Sequence, residues 1–168
     1  MAIAVKNPAA HQSLSEYVMG IAEETVVFPG IMQCFGIVGV SSNRMLCVHL
    51  STNTTANDME TIFGNFNLMG GDGVMDWYIM GPFGEHFSAA NAIWKSPKAI
   101  KKTFRKHLPS KARLNIMDIS TERAMHTWGV NLRVTLNIIS LGFEYKSGMI
   151  HSAATNWVPV DLLKFKRL

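Results

Sequence analysis

VVFPGIMQCFGIVGVSSNRMLCVHL, residues 26–50, reads as two apolar strands joined at Ser41-Ser42-Asn43-Arg44. The first is entered through Pro29-Gly30 and the second returns from Met45 to Leu50. Short β-rich runs on either side of a Ser/Asn cluster predict a β-hairpin. With the turn centred between Ser42 and Asn43, Gly36 opposes His49 and Cys34 opposes Ser51. Side chains alternate along a strand, so Cys34, Gly36, Cys47, His49 and Ser51 share one face. Cys34 and His49 become diagonal neighbours at roughly 7–8 Å, and Gly36 leaves room for the imidazole. A register slip of one residue would send the two to opposite faces.

A cysteine beside a histidine suits nucleophilic attack on an amide. The thiolate attacks, and the imidazole takes the thiol proton and returns it to the leaving amine. Backbone N–H groups around Gln33 to Phe35, just after the Pro-Gly bend, can hold an oxyanion. Cys47 lies on the same face but mid-strand, where a substrate reaches it less easily. The plainer alternative is a Cys that acts as a small apolar core residue and a His that is a hydrogen-bonded structural one.

The pattern Ile31-Met32-Gln33-Cys34, then Ile37-Val38, then His49-Leu50 on the next strand resembles the Cys-His glutamine deamidases. That superfamily joins the bacterial chemoreceptor glutamine deamidases to the catalytic domains of the cytotoxic necrotizing factor toxins. The later chain follows the same order loosely: WYIMGPFG at residues 77–84, a helix after Asn91, an NIMDIS strand at residues 115–120, and a final strand pair about Ser147-Gly148. The resemblance implies Cys34 as nucleophile, His49 as base and then acid, no cofactor or metal, and a partner protein bearing the reactive glutamine as substrate. It also implies a third group orienting the histidine, a Thr six residues before the cysteine or a backbone carbonyl. Phe28 holds that place and offers only its carbonyl; Thr25 is the nearest hydroxyl upstream. Met32 and Gln33 stand where the family has small residues. The Gly-Gly that typically follows the NIMDIS strand is missing, which points to an effector or toxin relative more than to chemotaxis. Two other expectations remain: a non-catalytic protein-binding module on the same fold, and a transglutaminase- or papain-like acyl transferase. Papain-type enzymes place the His much farther from the Cys.

At 168 residues the chain is expected to form one domain, residues 1–168, that buries roughly two-thirds of its unfolded surface. No apolar run approaches a membrane span and the N-terminus lacks a signal pattern, so a cytoplasmic protein, or an effector delivered without a cleavable signal, is expected. Two cysteines make no disulfide framework. Six histidines without ligand spacing, and no CxxC, argue against a metal site.

The net charge is a mild +4. Its main cluster, in SPKAIKKTFRKHL at residues 96–108, reads as a helix capped by Ser96 with Pro97 in its first turn. Ala99, Ile100, Phe104 and Leu108 form its buried stripe. It has no interleaved exposed aromatics, and no nucleic-acid recognition motif occurs.

Elsewhere residues 1–12 read as frayed, and residues 13–22 as a helix with Ser13 and Glu16 in a capping box. Residues 54–71 read as a helix burying Met59, Ile62, Phe63 and Phe66, capped by Thr55 or Asn57 and stopped at Gly70-Gly71. Strands follow in VMDWYIMG and at residues 112–120, with Glu85-His86 in a loop that can face Cys34. Residues 132–145 and 149–153 read as a strand pair, and the tail as a short helix turning Leu162, Leu163 and Phe165 inward. Helices and strands do not alternate regularly. The expected class is α+β: a layered β-sandwich of mixed or antiparallel sheets flanked by helices, as the resemblance also implies.

Overall fold

A computed structural model describes residues 2–86, 91–124, 129–138, 140–148 and 156–168, without the side chains of Glu85 and His86. The chain is a mixed α+β protein built on one large curled sheet. Its strands are β1 (Ala4–Val5), β2 (Ala9–Ser13), β3 (Val18–Ile31), β4 (Cys34–Ser41), β5 (Arg44–Ser51), β6 (Asp76–Gly81) and β7 (Arg113–Asp118). After these come β8 (Val130–Leu136), β9 (Leu141–Ser147), β10 (Val158–Pro159) and β11 (Lys166–Arg167). The spatial order is β10-β9-β8-β3-β5-β4-β6-β7-β11, with β1 and β2 also paired to β3.

The long strand β3 explains the curl. Met19–Ala22 pair with β5, and residues 25–31 pair with β8. Ala22 also pairs with Ala9, and Thr25 with His11, so β2 takes the opposite edge. One edge of β3 therefore passes from β5 to β8, and two arms of the sheet diverge from it. They close over a common core. Val38, Met45, Cys47, Met80 and Met117 from one arm join Val130, Leu132, Val134 and Phe143 from the other. Tyr78 of β6 meets Phe143 of β9 at 5.4 Å between ring centres.

The outer face of the β5-β4-β6-β7 arm carries a second core under two helices. Helix α1 (Ala56–Leu68) buries Met59, Ile62, Phe63 and Phe66, as its spacing predicts. Thr55 caps it in a capping box with Asp58, and Gly70, at φ +86°, follows its end. One-turn helices α2 (Phe83–His86) and α4 (Ser120–Ala124) follow β6 and β7. The basic segment forms α3 (Pro97–Arg105), capped by Ser96. Ile100 and Phe104 are buried in it and Lys98, Lys101, Lys102 and Lys106 face outward. Among the described residues no helix is long and apolar enough to cross a membrane.

Four expectations need correction. Residues 4–5 and 9–13 are strands paired in parallel with β3, not a frayed end. Residues 13–22 are not a helix: Leu14, Tyr17, Val18 and Ile21 fit a helical period, but Val18 pairs with β1 and Met19 onward with β5, and long-range pairing outweighs local spacing. The run at residues 132–145 breaks into β8 and β9, with Asn137 N–H donating to the Ser140 carbonyl across the turn. The β-branched Ile138 in that turn disguises it as strand. In the tail Phe165 packs inward, but the 3-10 turn Leu162–Lys164 leaves Leu162 and Leu163 54% and 87% exposed. The strand expected at residues 149–153 lies outside the described residues.

Candidate functional site

The β4–β5 ladder has the register expected from its turn: Cys34 opposes Ser51, Gly36 opposes His49 and Val38 opposes Cys47. The cysteine and the histidine are thus diagonal neighbours on the face that looks into the space between the two arms. Cys34 opens β4 at the rim of that space, and Cys47 lies deep within it with no exposure. Four positions separate the two cysteines along the register, roughly 13 Å of strand, and both are free thiols.

Gly36 is small for another reason than the one expected. A Cβ there would meet the Phe28 ring at 2.7 Å, so the space is taken by Phe28 rather than by the imidazole. Phe28 in turn sits edge-on to the His49 ring, 5.9 Å between centres. Its contribution is a wall against the imidazole.

The group that orients His49 lies in the segment read as a helix. Nδ1 of His49 is 2.7 Å from the carbonyl oxygen of Leu14. A carbonyl only accepts, so Nδ1 carries the proton and Nε2 of the neutral ring is left as an acceptor. Nε2 is buried and, among the described residues, has no hydrogen-bond partner. Neither Thr25 nor Phe28 performs this task. Thr25 Oγ1 is bonded to His11 Nδ1 at 2.7 Å, in an exposed cluster with Glu24 on the other edge of β3. Gln33 keeps its side chain exposed and its carbonyl accepts from Thr52 N–H at 3.3 Å.

A second residue of the same turn reaches the sulfur. The negative charge of Glu16 bears on the Cys34 thiol and on His49. Burial, then the nearby Glu16 carboxylate, push the Cys34 thiol from 9.0 up to about 12, against the backbone at Gln33 and Met32, which pulls it down. Burial pushes His49 below its usual 6.5, opposed by the Leu14 bond and by Glu16. Both shifts favour the uncharged pair, thiol beside neutral imidazole.

Cys34 keeps 9% exposure and His49 2%, and Met32 at the rim is 40% exposed. Clefts elsewhere, such as those at the β8–β9 turn and beside Lys164, are lined by neither residue of the pair. Among the described residues no three His, Cys, Asp or Glu side chains gather as metal ligands. Leu14 and Glu16 had no usable signal in the sequence: one acts through its backbone, and the other imitates a helix cap. Searches of protein-family models, of curated proteins and of solved structures give no match to this chain.

Proposed function

We propose that Cys34 and His49 are the nucleophile and the base of a thiol amidohydrolase that converts glutamine side chains of a partner protein to glutamate. One observation carries the proposal: His49 is held through Nδ1 by the Leu14 carbonyl, and its bare Nε2 lies on the hairpin face that Cys34 occupies. A buried acceptor without a partner is costly, and a role in proton transfer gives it a reason.

The chemistry starts from the neutral pair. As the thiol attacks the carboxamide carbon, its proton passes to His49 Nε2. Backbone N–H groups beside Gln33 are the candidates to hold the oxyanion. His49 then returns the proton to the departing nitrogen, the C–N bond breaks and ammonia leaves a thioester. Water, deprotonated by His49, attacks it, the C–S bond breaks, and the thiol recovers its proton. An incoming amide that comes between Glu16 and the sulfur weakens one cause of the raised thiol pKa as the reaction begins. The two arms of the sheet over one core, with α1 and α3 outside, support the layered sandwich that the deamidase resemblance implies.

Candidate partner proteins incubated with the enzyme and analysed by mass spectrometry test this. Wild type and Cys47→Ala should give ammonia and a gain of about 1 Da on the substrate; Cys34→Ala should give neither. The reverse pattern would reassign the nucleophile.

A second reading, a non-catalytic protein-binding module, is favoured by the burial of both residues and by the thiol held near pKa 12. On that reading no partner's glutamine gains mass, and Cys34 stays inert to thiol reagents until the protein is denatured.

A further inference from the structure

The turn between β2 and β3 carries more than the partner of His49. We propose that it makes the Cys34 site a charge filter: the Glu16 carboxylate admits uncharged amides, above all those flanked by basic residues, and turns carboxylates away. The proposal rests on the amidohydrolase reading and names its substrate class.

The turn is fastened on both sides of Glu16. Before it, Leu14 N–H donates to the Val27 carbonyl at 2.9 Å and the Leu14 carbonyl accepts from His49. After it, Tyr17 N–H donates to the His49 carbonyl at 2.7 Å, and the Tyr17 hydroxyl is 2.6 Å from Ser51 Oγ. Ser51 is the residue directly opposite Cys34, and His49 is the next on the same face. Tyr17 is held at φ 61°, the one non-glycine residue with positive φ among the described residues. Side chains disfavour that conformation, and it persists where the surroundings impose it. Between these anchors Glu16 is exposed beside the rim, and its charge bears on both Cys34 and His49. Among the described residues no Lys or Arg forms an ion pair with it.

The reaction makes such a filter useful. Glutamine and glutamate side chains have nearly the same shape, so an apolar wall such as Phe28 cannot separate substrate from product. They differ in charge and in donors. The amide nitrogen donates two hydrogen bonds, which a carboxylate accepts; the product carboxylate donates none and is repelled. Glu16 therefore favours the substrate on entry and the product on exit.

Labelling kinetics of Cys34 test this without any turnover. In a Cys47→Ala background, a cationic and an anionic methanethiosulfonate of similar size are compared, each rate divided by that for the denatured protein. The folded protein should favour the cationic reagent. Glu16→Gln should lower the cation-to-anion ratio by at least about tenfold, since the lost charge acts with opposite sign on the two reagents. Glu16→Lys should invert it. An unchanged ratio in Glu16→Gln, or no labelling by either reagent until denaturation, overturns the filter. A ratio that collapses while no partner glutamine is ever converted would retire the reaction and leave the filter standing. An unchanged ratio beside a Cys34-dependent mass gain would do the opposite.

Discussion

On one face of the β4–β5 hairpin, Phe35, Ile37, Leu46, Val48 and Leu50 pack into an apolar core under α1 and α3. On the other, Val38, Met45 and Cys47 are equally apolar, but the rim end carries Cys34, His49 and Ser51. The first face is closed by rings: Phe35 lies 4.4 Å from Trp94, and Phe63 lies 5.4 Å from Trp77. The second is closed at its rim by a backbone carbonyl and a strained tyrosine from the β2–β3 turn, with exposed Glu16 between them. Polar groups in a sheet this well covered sit where a separate segment supplies hydrogen bonds for them. Both faces bury an apolar core, and the rim end of the second also gathers polar groups against a separate segment.

The sharpest way to break this division is to damage the helix-covered face alone. Phe63→Ala removes a buried ring in contact with Phe66, Trp77 and Phe104 and should cost about 3–5 kcal/mol in urea unfolding. The cation-to-anion labelling ratio of Cys34 should stay at its wild-type value while the variant remains folded. Loss of that ratio in the folded variant would mean that the two faces are not independent.

Damage to the other face should act the other way. Gly36→Val drives a side chain into the Phe28 ring that walls His49. An overpacking cost of about 1–3 kcal/mol is expected, with a fall in Cys34-dependent deamidation beyond what lost folding explains. Activity falling only in step with the folded fraction would demote Phe28 to packing.

Acid stability distinguishes the faces more gently. The folded pKa of His49 lies below its ordinary 6.5, because burial disfavours the imidazolium. The unfolded chain therefore takes up the proton first. The contribution of neutral His49 is complete above pH 6.5 and is lost as pH falls through that value toward the folded pKa. His107, stacked on Phe63 on the helix-covered side, is lowered too and adds to the same limb. His49→Gln should make the acid limb of urea stability shallower without abolishing it. An unaltered limb would mean that His49 is not buried as a neutral ring.

The sequence was legible wherever structure is local. The hairpin register followed from a period of two and a polar turn, and it brought Cys34, Gly36, His49 and Ser51 to one face as expected. Helices α1 and α3 followed from their caps and apolar spacing. The β8–β9 turn stayed hidden because Ile138 inside it continues the β-branched run of the flanking strands. The β2–β3 segment stayed hidden because Leu14, Tyr17, Val18 and Ile21 satisfy a helical period, although their neighbours pair with β1, β2 and β5.

The sequence by itself determined which two reactive side chains share a strand face, because alternation along paired strands is a property of the backbone. Tertiary structure decided what surrounds them. The Leu14 carbonyl meets His49 only because Met19 pairs with Val48, which draws the preceding turn across the rim of the hairpin. A main-chain oxygen is the same in every residue, so no choice of side chain announces that contact. Burial, which holds both groups uncharged, likewise arises only once the second arm of the sheet closes over the first.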